Sequence, residues 1–135
     1  MLASTARLSI ALAAIVIASA CGSSEGELSL GGKVFVAAEA VGEITMPAKV
    51  KLNFTDSNLG INAGCNNGGG DYKVKDGVLI IDSIAQTEMY CEGLMEQEQA
   101  VFGLISESPN ITLIGDTLTL VGEDLTLTLQ LASGD

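Results

Sequence analysis

The chain has no histidine. That removes Ser-His and Cys-His nucleophile pairs and every imidazole metal site. Arginine occurs once, at Arg7. Beyond residue 20 the only cations are Lys33, Lys49, Lys51, Lys73 and Lys75, set against all seventeen acidic residues, a side-chain charge of −12. Such a surface repels a phosphate backbone, so no nucleic acid is expected as a partner. It repels anionic headgroups as well. Solubility alone accounts for this much acidity. Long apolar runs are also lacking. The stretch Leu8 to Ala18, broken by Ser9, falls short of the roughly 20 residues that span a bilayer.

That stretch has a different use. Arg7, a short apolar centre and small residues before a cut describe a secretory signal peptide over residues 1–20. The cut site, Ala18-Ser19-Ala20-Cys21, resembles the bacterial lipobox, with Ala18 where Leu is commonest. Cys21 is then the expected lipidation site, ordinary secretion with an incidental thiol being the alternative. Residues 21–29 are polar and glycine-rich, suited to a flexible tether. The expected location is the cell envelope, either the outer membrane facing the periplasm or the outer face of the cytoplasmic membrane. The membrane is a partner through the acyl chains.

With Cys21 acylated, Cys65 and Cys91 remain. An exported compartment can oxidise such a pair, and closing that loop would stabilise the fold by roughly 3–4 kcal/mol. Two free buried thiols are the alternative.

The rest reads as strands around one helix. Val50, Leu52 and Phe54 alternate with Lys49, Lys51 and Asn53, the period of a half-buried strand. After the turn Asp56-Ser57-Asn58, Leu59 to Ala63 returns as a second strand. Gly64 to Gly70 is expected to be a loop, its glycine run a flexible connection. Tyr72 and Val74 begin a strand that turns at Asp76-Gly77 and returns through Val78 to Ile81. Ser83 to Met89 is read as a further strand. Gly93 to Ser106 then places Leu94, Val101, Phe102 and Ile105 at helical spacing, with Glu96-Gln97-Glu98-Gln99 between, and Ser108-Pro109 ends it. Two hairpins close the chain. In the last, leucines 118, 120, 125, 127, 129 and 131 alternate with threonines. The expected class is α+β: a mostly antiparallel β-sheet meander curling around one helix, one domain over residues 30–132.

In this order the motifs resemble the META domain, also called the HslJ-like domain, of bacterial envelope proteins. The matching text runs from Leu30-Gly31-Gly32-Lys33-Val34-Phe35 through Phe54-Thr55-Asp56, the loop Gly64-Cys65-Asn66, the segment Thr87-Glu88-Met89-Tyr90-Cys91 and the Gln-rich helix to Gly115-Asp116-Thr117-Leu118-Thr119-Leu120. Gly64, Asn66, Thr87 and Met89 are the family-motif residues. Many members carry Trp in the first strand; this chain has none, and Phe35 is expected in its place. The resemblance implies that Cys65 and Cys91 form a structural disulfide. It also implies a link to stress or drug-resistance phenotypes, and it supplies no catalytic residues.

No catalytic residue, metal site or cofactor is expected from the residues themselves. Glu88 and Glu92 beside Cys91, and Glu96 and Glu98 on the helix, read as solvated carboxylates. Asp116, Glu123 and Asp124 lack the spacing of a calcium loop. Tyr72 and Tyr90 are expected to pack at strand edges. The expected function is a non-enzymatic interaction or scaffold domain contacting an unknown envelope protein. The alternatives are a carrier of a lipid or other apolar ligand inside the curled sheet, and an inhibitor of an exported hydrolase.

Overall fold

The computed structural model describes residues 28–132. The expected signal peptide, Cys21 and most of the expected tether lie outside the described residues. In chain order the elements are β1 (Lys33–Val41), β2 (Lys51–Phe54), β3 (Asn58–Asn62), β4 (Asn67–Lys75), β5 (Val78–Ile81), β6 (Ala85–Gln86), α1 (Met95–Ser106), β7 (Asn110–Ile114), β8 (Thr117–Val121) and β9 (Thr126–Leu131).

All pairings are antiparallel, as short turns dictate. The strand order is β3-β2-β1-β9-β8-β7-β5-β4-β6, and β3 also pairs β4. That extra pairing closes eight strands into a ring and leaves β6 hanging on β4. The expected curled meander is therefore a closed, barrel-like sheet. Eight strands leave an interior just wide enough for side chains to fill. Here Phe35, Leu52, Phe54, Leu59, Ile61, Leu118, Leu120, Leu127 and Leu129 fill it, all buried. The leucine ladder thus faces inward and its threonines outward. Phe35 takes the core position expected of it, edge-on to Phe54 with ring centroids 5.9 Å apart.

The helix crosses one end of the ring. Near its start, Gln97 bonds Ala48 and Ala63, which flank the start of β2 and the end of β3. Near its finish, Leu104 lies against Gly122, just after β8. Val101, Phe102, Leu104 and Ile105 join the core. At the opposite end Leu30 is buried, and Gly32 N–H donates to Phe54 O at 2.7 Å.

Three boundaries differ from the sequence reading. The helix begins at Met95 rather than Gly93, where a positive φ of 78° prevents continuation. The expected strand Ser83–Met89 shrinks to Ala85–Gln86, because beyond the Thr87 N–H bond to Asn67 O the backbone at Met89 is held by the Asn66 side chain rather than by a ladder. The largest change is in the glycine run. Asn67 to Gly70 is not a flexible connection but the first half of β4, paired with β3 on one side. Crowding explains the composition. A Cβ on Gly69 would sit 2.4 Å from Leu59 O, one on Gly70 2.1 Å from Ser83 O, and one on Gly68 2.7 Å from the Phe102 ring. Glycine is used here for close approach, not for freedom.

Candidate functional site

The family-motif residues converge where α1 meets the start of β4. Asn62 Oδ1 accepts from Gly64 N–H at 3.1 Å, shaping the turn after β3. Gly64 has φ +121°, a conformation that side chains rarely adopt, and its α-carbon faces the Gln97 amide. The turn delivers Cys65 and Asn66 with their backbone N–H groups aimed at the helix. Glu98 Oε1 accepts from both, from Cys65 N–H at 2.9 Å and from Asn66 N–H. Glu98 Oε2 accepts from Asn66 Nδ2 at 2.7 Å.

Asn66 is the hub. It is buried, and its side chain uses both of its ends. Oδ1 accepts from Met89 N–H at 2.7 Å and from Thr87 Oγ1 at 2.8 Å, while Nδ2 also donates to Met89 O at 2.9 Å. Thr87 N–H donates to Asn67 O at 2.9 Å. The side chain of Asn66 thereby replaces a neighbouring strand for the backbone of Met89. The Cys65–Cys91 disulfide ties the same two segments covalently, 26 residues apart in sequence. Gly64, Asn66, Thr87 and Met89 are thus brought together as one polar knot, with Cys65 and Cys91 at its edge.

Sequence reasoning misplaced two helix residues. Gln97, placed only as a spacer between the apolar residues, and Glu98, read as a solvated carboxylate, are 1% and 5% exposed. Gln97 Nε2 donates to Ala48 O at 3.0 Å and Ala63 O at 2.8 Å, and its Oε1 accepts from Ala48 N–H at 3.1 Å. The signal was available. Positions 97 and 98 lie four and three residues before Val101 on the buried stripe, so inward-facing polar groups follow from the same periodicity. Partners for them, by contrast, are loop backbone atoms that no periodicity reveals. Among the described residues, no buried side-chain polar atom is left without a hydrogen bond.

The tyrosines part company. Tyr72 packs edge-on to Phe54 at 5.2 Å and donates to Thr55 O at 2.8 Å. Burial, and then the nearby Asp56 carboxylate, raise its phenol pKa above the ordinary value of 10.0. Tyr90, expected at a strand edge, is 79% exposed, and its neighbour Met89 is 57% exposed. The Asn66 grip holds the backbone at Met89, which turns both side chains outward. They rim a cleft of about 320 Å³ between the 86–90 segment and the start of α1, with Met95 and Phe102 contributing apolar wall.

Two solved NMR structures share this architecture. A protein from Burkholderia xenovorans superposes with a TM-score of 0.66 at 20% identity, covering 78% of this chain and 85% of that one. A second protein gives a TM-score of 0.64 at 26% identity, covering 76% of this chain and 91% of that one. A comparison with curated proteins finds no match. The META domain pattern matches residues 27–134, which takes in the whole ring, the helix and every residue of the polar knot. The chain belongs to the META domain family.

Proposed function

We propose that this chain is an interaction domain of the bacterial cell envelope, held to a membrane through lipidated Cys21 and acting by contact rather than by catalysis. One observation carries the reading. The polar side chains that a catalytic site would need free are spent inside the fold: both oxygens of Glu98 and both ends of the Asn66 and Gln97 amides are occupied by internal hydrogen bonds, mostly to loop backbone. Saturated groups of this kind rigidify a surface and do not transfer protons to a substrate. What the knot presents outward is the Met89–Tyr90 pair, and Met and Tyr are among the residues enriched at protein interfaces. The lipobox at Ala18-Ser19-Ala20-Cys21 and the polar stretch after it support the anchoring half.

In-cell photocrosslinking tests the contact half. A photoreactive residue is placed in turn at Tyr90, Val41 and Ile114, all exposed. Capture of a discrete envelope protein from at least one position is expected; no specific adduct from any of them sinks the reading. Palmitate labelling tests the anchor. Label should enter the wild-type protein and be absent from Cys21→Ala.

A further inference from the structure

The cleft beside the polar knot has a chemistry specific enough to name its occupant. Its upper rim is the Gln86–Tyr90 segment and its lower wall is Met95, Gln99 and Phe102 on α1. The polar atoms in its floor, on Asn66 and Glu98, are already bonded internally. Recognition there falls to the apolar surface of Met89, Tyr90, Met95 and Phe102 and to net charge. That charge has one sign. Glu88 lines the cleft, and Glu92 and Glu96 are exposed close by in the same loop and first helical turn. After Lys75 the chain has no lysine or arginine at all, against eleven acidic residues. The five lysines of the domain lie earlier, on β1, β2, β4 and the approach to β2. One more feature points to an extended ligand. β6 ends the strand order, pairs only with β4, and both its residues are exposed. A strand edge beside a side-chain pocket is the arrangement that captures an added peptide strand.

Resting on the interaction-domain reading, we infer that this cleft docks an extended, cationic peptide segment of a partner protein, with one large apolar or aromatic side chain seated between Met89, Tyr90, Met95 and Phe102. The other occupants fit worse. A second copy of this chain would bring like charge against like, and an anionic membrane surface or nucleic acid would be repelled.

The test is an NMR titration of the 15N-labelled protein with blocked pentapeptides. Lys-Lys-Phe-Lys-Lys should shift the amides of Thr87 to Glu92 and of Met95 to Gln99 and saturate. Lys-Lys-Ser-Lys-Lys should bind at least about tenfold more weakly, the loss expected for removing a buried aromatic anchor. Glu-Glu-Phe-Glu-Glu should not bind. Raising the salt from 0.05 to 0.3 M should weaken the first peptide severalfold, since screening shortens the reach of exposed charges. Tyr90→Ser and Met89→Ser, at exposed side chains that leave the Asn66 bonds to the backbone intact, should weaken it as well while the remaining spectrum stays native. Equal binding of the Phe and Ser peptides, shifts spread over other faces, or no saturable shift up to millimolar peptide would overturn the inference. Those outcomes leave the broader reading standing if crosslinks form from Val41 or Ile114. Absence of crosslinks from all three positions removes that reading instead.

Discussion

At the residue scale the molecule turns on one carboxylate and one amide. Glu98 accepts two backbone N–H groups and the Asn66 amide, the Asn66 bonds buried and the Cys65 bond half-buried. A neutral amide of the same shape cannot do this, because its NH₂ must face at least one of those donors. Glu98→Gln should therefore cost about 2–3 kcal/mol, the range for hydrogen bonds to a charged partner with a donor left unmatched. Chemical denaturation of the two proteins measures it; a difference under about 0.5 kcal/mol would show that Glu98 does not clamp the loop. Tyr72 makes a pH prediction. Its folded pKa lies above the unfolded value of 10.0, so the unfolded chain releases the phenol proton first. Its contribution is present below pH 10 and is lost as pH rises through the raised folded value. Tyr72→Phe should flatten that alkaline loss of stability, as followed by thermal melts at increasing pH. The residue types at these positions were legible in the sequence, and the motif cysteines Cys65 and Cys91 stood out by spacing. The polar knot was not. A buried Glu and a surface Glu are the same letter, and what distinguishes Glu98 is a set of N–H groups that only the Gly64 turn aims at it.

At the scale of elements, strands with strict alternation were readable: β2, β8 and β9 follow the period-two pattern because one face is core and the other is solvent. The first half of β4 was not readable. Gly68, Gly69 and Gly70 carry no side chains to alternate, and in sequence they look like a loop. Their role as a strand comes entirely from neighbours: Leu59 and Ser83 backbone oxygens and the Phe102 ring. Gly69→Ala should push β3 and β4 apart at the ring closure and cost about 1–3 kcal/mol or more. For a domain of this size each kcal/mol lowers Tm by about 4–8 °C. Gly103→Ala is the control. It lies on the helix with nothing within 4 Å of an added Cβ, and it should stabilise by up to about 1 kcal/mol. Equal Tm values for the two variants would show that the crowding at Gly69 has no energetic weight. Reduction of the disulfide should remove roughly 3–4 kcal/mol by freeing a loop whose ends are 26 residues apart. The Asn66 bonds should still hold Met89 in the reduced protein, which amide shifts at Thr87 and Met89 would report.

At the scale of the whole molecule, the α+β class followed from the order strands, helix, strands. Closure of the ring did not, because it depends on which edges meet. The weakest join is β5 to β7, where Val78 opposite Asn110 is the single registered pair, helped by Leu79 N–H to Pro109 O and Ile111 N–H to Gly77 O, each 2.9 Å. Local opening starts where backbone pairing is thin. Amides of β5 should therefore exchange at least about tenfold faster than those of β8 and β9, whose leucines are buried in the core. Uniform exchange around the ring would mean that α1, packed against β5, seals this join as firmly as a ladder would. The strongest consequence of the architecture lies at the opposite seam. β1 pairs along β9, and Ala132 N–H donates to Val34 O at 2.8 Å, so the described chain enters and leaves the ring side by side. Ahead of β1 the chain crosses the end of the ring, where Leu28 lies beside Tyr72 and Val74 of β4, so the old ends need a glycine-rich linker that crosses back, and new ones can be opened at the Asp76-Gly77 turn, where both residues already have positive φ and Gly77 has open space around it. Such a circular permutant should fold to the same ring. By the same geometry this domain can be inserted into an exposed loop of a host protein, provided that loop opens wide enough to reach both Leu28, beside β4, and the end of β9.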